Sequence, residues 1–290
     1  MGVNALLQTN DARVDVGGAP QVDGLTFATT GSRVVVLGAA QALFDAASGV
    51  RKPSRGTVLV RGEAADVALR GARVAGAPLD PPLPPTWTAR SYARWSARLA
   101  GHDDTTAHRL ADEAIERLEM RAIADGLLGK AAPHAKRATV VAGALATGAA
   151  VIVLADPTAG TPDAFARTFG RILTRALEGR EWIVFAPTMP LGAPLALEAD
   201  EAIVVEGSQV AAQGAPGELA SQEHTYALKV AGEVEALAVA VEARGATVRR
   251  SPSMLVVDLG KSLTTRDLMS MALEARAIIV ELSPLTRALA

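Results

Sequence analysis

The chain has 290 residues and a formal net charge of −2, from 29 Lys and Arg against 31 Asp and Glu, and 49% of its residues are hydrophobic. This composition excludes a disordered chain, and the near-neutral charge argues against nucleic-acid binding, which requires a basic excess. The lack of Cys excludes disulfides, thiolate metal sites and cysteine nucleophiles.

Short apolar runs rich in β-branched residues predict the strands of a buried sheet. These runs are continuous rather than alternating and helical stretches separate them, which is typical of parallel strands covered by helices on both faces. We therefore predict an α/β domain with a mixed, mainly parallel sheet that contains all of these strands. The runs are Arg33–Leu37, Gly56–Arg61, Val151–Leu154, Trp182–Phe185 and Ala202–Val205.

A helical insert is predicted over about residues 86–130. Apolar and aromatic residues recur at helical spacing in Thr88–Ala100, and Asp103–Asp104 has the composition of an N-cap for a second helix, Thr105–Met120. The proline-rich stretch Pro78–Pro85 that precedes the insert is predicted to be a stiff surface loop.

The pattern changes near Ser221, where a second, smaller domain is predicted. Strand and helix signals follow the order β-α-β-β-α-β over about 65 residues, as in a ferredoxin-like α+β domain. We therefore divide the chain into residues 1–220 and 221–290. The predicted elements of the second domain are the strands Tyr226–Val230, Thr247–Arg250, Met254–Leu259 and Ile278–Leu282 and the helices Glu233–Arg244 and Thr265–Ala275.

Residues Val14–Leu219 resemble the ATP-binding subunits of ABC transporters, a P-loop NTPase-like family. Val151–Gly160 (VIVLADPTAG) is similar to the Walker B region, and Ala199–Leu219 resembles the end of the cassette. Val22–Thr26 resembles its first strands. The C-terminal piece resembles the accessory domain of some bacterial drug- and lipid-export subunits.

The resemblance fails at the residues that carry the chemistry of this family, beginning with the phosphate-binding loop. The form GxxxxGK[ST] supplies backbone N–H groups, a Lys and a hydroxyl to the phosphates and Mg²⁺. Counting back from the glycine matched by Gly49, Ala40 stands at the Lys position and Gln41 at the Ser position. Gly38 is the one turn glycine that remains, and the loop is about four residues shorter than usual.

Walker B and the signature also depart from the family pattern. Ala155 stands at the position of the Mg²⁺-organising Asp, and Asp156 at that of the catalytic Glu. We interpret Asp156 as a turn or cap residue. The signature LSGGQ is matched by residues 131–135, where Pro133 removes a donor and His134 is interpreted as a solvated loop residue.

Four further positions of the family pattern carry other residue types. Leu79 stands where the family has its Q-loop Gln, and Pro162 where it has its D-loop Asp. Pro190 is matched to the switch His. Val16 falls where an aromatic ring would stack on adenine.

Phosphoryl transfer depends on positioned charge and Mg²⁺, so these departures predict that the chain is not an enzyme. We expect no catalytic residue, no cofactor and no metal site. The chain would then be a pseudo-ATPase, a protein–protein platform in an ABC-type transport or export complex. Its expected partners are an ABC-type membrane permease, a related ATPase subunit or both, and the sequence leaves open whether it dimerises.

Two alternatives stay open. The chain is an ATP-binding and ATP-hydrolysing transporter subunit with a remodelled site, or a cytoplasmic scaffold or regulatory protein independent of transport. No apolar run reaches the ~20 residues of a membrane span, so we expect a cytoplasmic protein without direct membrane insertion, peripheral at the inner face of the cell membrane in a transport complex.

One helical stripe in the insert is a candidate partner-binding face. Arginine and aromatic residues are enriched in protein interfaces, and here they recur at helical spacing. The alternative is an ordinary solvated helix face. The residues of this stripe are Arg90, Tyr92, Arg94, Trp95 and Arg98.

Overall fold

The computed structural model describes residues 5–190, 192–222, 225–251, 254–260 and 263–284. The chain divides into two compact units, residues 1–216 and 217–290. Each unit has a sheet and a hydrophobic core of its own. Within the described ranges, no helix is both long and apolar enough to cross a membrane.

The larger unit is built around a six-stranded sheet in the order β10-β9-β3-β8-β7-β6. Five of these strands run parallel, and the edge strand β10 is antiparallel to β9. The predicted mixed, mainly parallel sheet is therefore confirmed. Its strands are β3 (Arg33–Leu37), β6 (Val74–Ala77), β7 (Val151–Ala155), β8 (Glu181–Ala186), β9 (Glu201–Glu206) and β10 (Gln209–Gly214).

A second, antiparallel sheet of the larger unit corrects one strand assignment. The predicted strand Gly56–Arg61 forms β4 (Arg55–Val60), which pairs with β1 and lies outside the parallel sheet. Only Val58 and Val60 of β4 are buried, and a short apolar run does not reveal its partner. The sheet has the order β2-β1-β4-β5, with β1 (Leu7–Val16), β2 (Ala19–Ala28) and β5 (Glu63–Ala64).

Helices fill the connections of the larger unit. Thr88 and Ser91 form a capping box at the start of α3, and the Asp103 carboxylate accepts the N–H of Thr106 as the N-cap of α4. A short 3₁₀ helix, Leu128–Lys130, follows α4. The α-helices are α1 (Ala40–Ala47), α2 (Ala65–Arg70), α3 (Ala89–Leu99), α4 (Asp104–Arg117), α5 (Pro133–Ala146), α6 (Asp163–Ala176), α7 (Pro194–Glu198) and α8 (Pro216–Gln222), which ends within the smaller unit.

The helical insert packs closely because its contact faces are built from small residues. Ala93 and Ala97 of α3 are fully buried. A side chain at Gly143 of α5 would collide with the ring of Tyr92. Glycine therefore lets α3 and α5 approach, and the Tyr92 ring fills the space between them.

The smaller unit is an antiparallel sheet in the order β12-β13-β11-β14 with two helices packed on it. This strand order and the β-α-β-β-α-β sequence of elements confirm the predicted ferredoxin-like fold. Leu237 and Val241 of α9 and Leu268 of α10 form its core with the inward residues of the sheet. The elements are β11 (Thr225–Gly232), α9 (Val234–Ala243), β12 (Thr247–Ser251), β13 (Met254–Asp258), α10 (Thr265–Glu274) and β14 (Ala277–Pro284).

Candidate functional site

The turn between β3 and α1 is short and tightly held. β3 ends at Leu37 and α1 begins at Ala40, so Gly38 and Ala39 alone connect them. Gly38 has φ +108°, and a Cβ there would overlap the carbonyl oxygen of Val205. Only glycine fits this backbone, so the turn is fixed by the close approach of β9.

The end of β8 holds two loops of the sheet edge together. The N–H of Gly38 donates to the carbonyl oxygen of Ala186 at 3.2 Å, and the N–H of Asp156 donates to that of Phe185 at 2.7 Å. The turns after β3 and β7 therefore lie on either side of β8. This is the carboxyl edge of the parallel strands, where ligands bind in open α/β sheets.

Asp156 is the acidic side chain of this edge. It follows β7 directly and has φ +33°, in the left-handed region that aspartate tolerates better than most residues. Burial raises the pKa of its carboxyl, while the positive charge of Arg137 and a hydrogen bond from the backbone of Ala159 lower it. Asp156 is thus a turn residue with a partly desolvated carboxyl.

The first turn of α1 has an apolar surface except at Gln41. The Gln41 side chain donates to Asp45 at 2.7 Å within the helix, and Arg51 also pairs with Asp45. Ala40 is buried. The charge of Asp45 is therefore balanced by Arg51.

His134 corrects another expectation, because it lies in the first turn of α5 and not in a loop. Pro133 occupies the first helical position, where the missing N–H costs little. The His134 side chain is exposed at the surface, with its ring 4.8 Å from that of Phe165 in α6.

The remaining five positions matched to the family pattern are described by their burial and their place in the secondary structure. Val16, the last residue of β1, and Leu79 are partly buried and pack against the core of the larger unit. Pro162 is the N-cap residue of α6, and Pro190 is exposed. Ala155 is the buried last residue of β7.

The α3 stripe combines ion pairs with exposed apolar surface. Arg90 pairs with Asp112 and Asp125, and Arg94 with Asp104. The remaining three residues of the stripe differ in exposure and contacts. Tyr92 is partly buried, and Trp95 is 48% exposed with its ring 5.5 Å from that of Trp87. Arg98 is exposed, and its guanidinium lies 4.0 Å from the Asp104 carboxylate.

A groove runs beside this stripe. It encloses a cavity of about 270 Å³ between α3, α5 and residues 69–76 of the α2–β6 segment. The rings of Tyr92 and Trp95 and the 66% exposed Leu99 line it. Arg70 is the charged side chain of its lining, and Arg94 and Arg98 line a second pocket that shares Trp95 with the groove.

Metal-ligating side chains do not form a cluster in the part of the chain that the structure describes. No group of three or more His, Asp or Glu side chains that could hold a metal ion occurs among the residues described. A divalent ion at the sheet edge would therefore depend mainly on phosphate oxygens supplied by a ligand, as Mg²⁺ often does.

Solved structures identify the architecture. CbiO1 from Clostridium perfringens, part of an ABC transporter complex, matches with a TM-score of 0.63 at 20% identity, covering 76% of this chain and 92% of that one. The fold is that of an ATP-binding cassette. An ATP-binding subunit of an ABC transporter matches this cassette fold at 0.61 and 15% identity, covering 75% and 92%. The ADP conformation of MJ1267, an ATP-binding cassette, matches at 0.60 and 16% identity, covering 75% and 95%. No protein-family model and no curated protein sequence matches.

These matches overturn the expectation that the chain is not an enzyme. Two of these solved structures are an ATP-binding subunit and an ATP-binding cassette, and this chain shares their fold. That expectation was wrong because it gave the residue types at the motif positions more weight than the cassette fold that carries them.

Two residues of the site were missed by sequence reasoning, Arg137 and Asp80. The Arg137 guanidinium contacts the Asp80 carboxylate and the carbonyl oxygen of Ala159. Arg137 lies in the stretch 135–146, which is rich in Ala and Val. A charged residue in such an apolar stretch could have indicated a buried ion pair, since a charged side chain is rarely buried without a partner.

Proposed function

We propose that the chain is an ATP-binding-cassette subunit of a membrane transport complex that binds and hydrolyses ATP through a remodelled site. The observation that carries this proposal is the convergence of the β3–α1 turn and Asp156 on the end of β8. Both stand at the sheet edge where a cassette places its nucleotide phosphates, as the family resemblance implies.

Backbone groups take the larger part in phosphate binding in this proposal. The first N–H groups of a helix have no partner within the helix and carry a partial positive charge, so the start of α1 suits an anion. The turn itself consists of Gly38 and Ala39, without a lysine. We therefore expect weak binding: one missing charge-assisted hydrogen bond is worth about 1.5–3 kcal/mol, or about 10- to 150-fold in Kd.

Asp156 is assigned the acidic role of the site. Its carboxyl stands after β7, where the family pattern has its catalytic Glu, and its pKa is raised by burial. A carboxyl with a raised pKa can accept a proton from an attacking water.

Calorimetric titration of the full chain with Mg–ATP, followed by a phosphate-release assay, tests this function. We expect binding in the high micromolar to millimolar range and slow turnover. Asp156→Asn should lower turnover at least about 10-fold with little change in Kd, because the loss of a general base affects the chemical step. Asp163→Asn, an exposed carboxylate of α6, is the matched control. Absence of binding at 5 mM Mg–ATP contradicts the proposal.

The α3 stripe is proposed as the contact with the membrane subunit. A membrane-subunit segment with an apolar side chain for the cavity and acidic residues for Arg70, Arg94 and Arg98 fits the chemistry of the two pockets. Trp95 supports this role, because a half-exposed tryptophan beside arginines is typical of an interface.

Co-purification from detergent with a multi-span membrane protein encoded beside the chain tests the stripe. Trp95→Ala should reduce recovery of the complex at least about 10-fold, the scale of a central interface residue. Leu197→Ala, a 70% exposed side chain on α7, is the control for the loss of an exposed apolar group. Equal recovery of all three proteins would exclude this face as the contact.

A further inference from the structure

Arg137 is a largely buried charge in α5, a helix whose buried residues are mostly alanine and valine. Its side chain is 14% exposed, whereas the arginines of the α3 stripe are 34–50% exposed. Burying a guanidinium is costly unless hydrogen bonds compensate it. Its position therefore requires partners.

Those partners come from two separate loops. Nε and Nη2 donate to the two carboxylate oxygens of Asp80, each at 3.3 Å, and Nη1 donates to the carbonyl oxygen of Ala159. Asp80 follows β6 and Ala159 lies in the turn after β7. One planar group thus ties α5 to the loops at the ends of two neighbouring strands.

The same contacts lead to Asp156. Its main-chain oxygen accepts the N–H of Ala159 at 3.1 Å, and the Ala159 backbone lowers the pKa of its carboxyl. The carbonyl oxygen of Ala159 is the atom that Arg137 holds. Arg137 is the charged group acting on the Asp156 carboxyl among the residues described. The turn from 156 to 159 is therefore held at one end by β8 and at the other by Arg137.

We propose that Arg137 is a positioning residue that fixes the Asp156 turn and the Asp80 loop to α5, so that the acidic group of the sheet edge follows the position of the helical segment. Its effect on catalysis rests on the proposed ATPase function, while its effect on the loops does not. The fork geometry is essential: guanidinium donates in parallel to both oxygens of a carboxylate, which a lysine ammonium does not do.

Amide hydrogen exchange of the full chain, measured without nucleotide, tests whether Arg137 holds the Asp80 loop and the Asp156 turn. Arg137→Ala should speed exchange at least 10-fold both around Asp80 and in the turn 156–160. Asp80→Asn keeps Arg137 and should speed exchange around residue 80 more than in the turn. Arg167→Ala, an exposed arginine of α6, should change neither segment. Unchanged exchange in both segments of Arg137→Ala overturns the proposal.

A carboxyl titration distinguishes positioning from a general loosening. With ¹³C-labelled aspartate, the midpoint of Asp156 should move to higher pH in Arg137→Ala, because a positive charge beside the carboxyl is lost. Arg137→Lys should restore most of this midpoint and only part of the exchange protection. An unmoved midpoint overturns the link between Arg137 and Asp156.

Kinetics then separate this proposal from the proposed function. If the chain hydrolyses ATP, Arg137→Ala should lower kcat at least 10-fold with KM changed less than 3-fold. Failure of the wild-type chain to bind Mg–ATP would contradict the ATPase function, while the exchange and titration results would still decide the role of Arg137. Unchanged kcat in an active enzyme whose loops have loosened overturns the catalytic part.

Discussion

Two turns at the same edge of the sheet are built in opposite ways. The turn after β3 is Gly38–Ala39, held by backbone hydrogen bonds and by contact with β9. The turn after β7 begins at Asp156 and is held by the charged side chain of Arg137. One turn is fixed by steric fit and the other by buried charge.

This difference teaches where the chemistry of the site has to be sought. In the family pattern the first turn carries the lysine and hydroxyl for phosphate, but here it offers only main-chain groups. Ionisable side chains are concentrated around the second turn, in Asp156, Arg137 and Asp80. The first turn suits anion binding by a helix start, and the second suits proton transfer.

Gly38→Ala should lower the unfolding free energy most, because the added methyl group does not fit into the first turn. The new Cβ would meet the carbonyl oxygen of Val205 in a backbone with φ +108°. We expect a loss of about 3 kcal/mol or more of unfolding free energy, from strain and forced displacement of β9. Urea unfolding followed by far-UV circular dichroism measures it.

The matched control is Gly179→Ala, at φ +76° with open space around its Cβ. It carries the conformational cost without the collision, and should lose about 1–2 kcal/mol. Equal losses in both variants would show that the contact with β9 contributes nothing to the first turn.

Phe44→Leu should have the next largest effect, because it weakens the packing that supports α1 behind the first turn. The Phe44 ring is fully buried and meets that of Phe185 edge-on, with centroids 6.4 Å apart. Loss of the ring pair and of shape complementarity should cost about 2 kcal/mol in unfolding free energy. Phe27→Leu, buried in β2, is the control. A loss below that of the control would contradict a supporting role.

The two turns also differ in how far the sequence alone could predict them. β-branched runs predicted β3, β7, β8 and β9 and their parallel arrangement, because a buried parallel strand has a continuous apolar signal. β6 was missed, since its residues VAGA carry no such signal. α5 was missed too, since it is buried on most sides and lacks an amphipathic pattern.

The contacts of the site were less predictable than its strands. Arg137 and Asp80 are separated by 57 residues, and a single sequence does not indicate which distant carboxylate an arginine will meet. The family pattern marked Asp156 and Gly38, because both stand directly after strands. It marked the motif positions but not the ion pairs that hold them.

The pH dependence of the unfolding free energy tests the electrostatic surroundings of Asp156 in the second turn. Burial raises the pKa of Asp156 above the ordinary value of 3.8, so the folded state holds this proton more tightly than the unfolded state. The Asp156 carboxyl therefore stabilises the fold at pH values below its pKa in the unfolded state. This contribution is lost as the pH rises through its pKa in the folded state. The Asp156→Asn variant should not show this decrease in unfolding free energy with rising pH. Unfolding free energies measured across pH 3–7 test this expectation.

Asp200, at the other end of the sheet, should contribute to the unfolding free energy with the opposite pH dependence. Hydrogen bonds from Arg33 hold its pKa below the ordinary value, so its contribution is present above the unfolded pKa and is lost as pH falls through the folded one. Asp200→Asn should therefore weaken the chain at neutral pH and little at pH 3. Profiles of the same sign for Asp156→Asn and Asp200→Asn would contradict the assigned surroundings of one of them.

The smallest effect is expected for Arg94→Ala on α3, which separates exposed from buried arginines. Arg94 donates to both carboxylate oxygens of Asp104 at 2.6 and 2.7 Å, but the two side chains are 39% and 57% exposed. Water and salt screen such a pair, so the unfolding midpoint should fall by less than about 2 °C. Thermal unfolding in low and high salt measures it.

A fall of more than about 5 °C for Arg94→Ala would mean that the α3 stripe holds the insert together, as Arg137 is proposed to hold the loops. A small fall leaves the Arg94 side chain free to exchange Asp104 for an acidic group of a partner at little cost in stability. The stripe is then suited to reversible docking, because its ion pairs are exposed, whereas the buried contacts of Arg137 are suited to holding the site in one geometry.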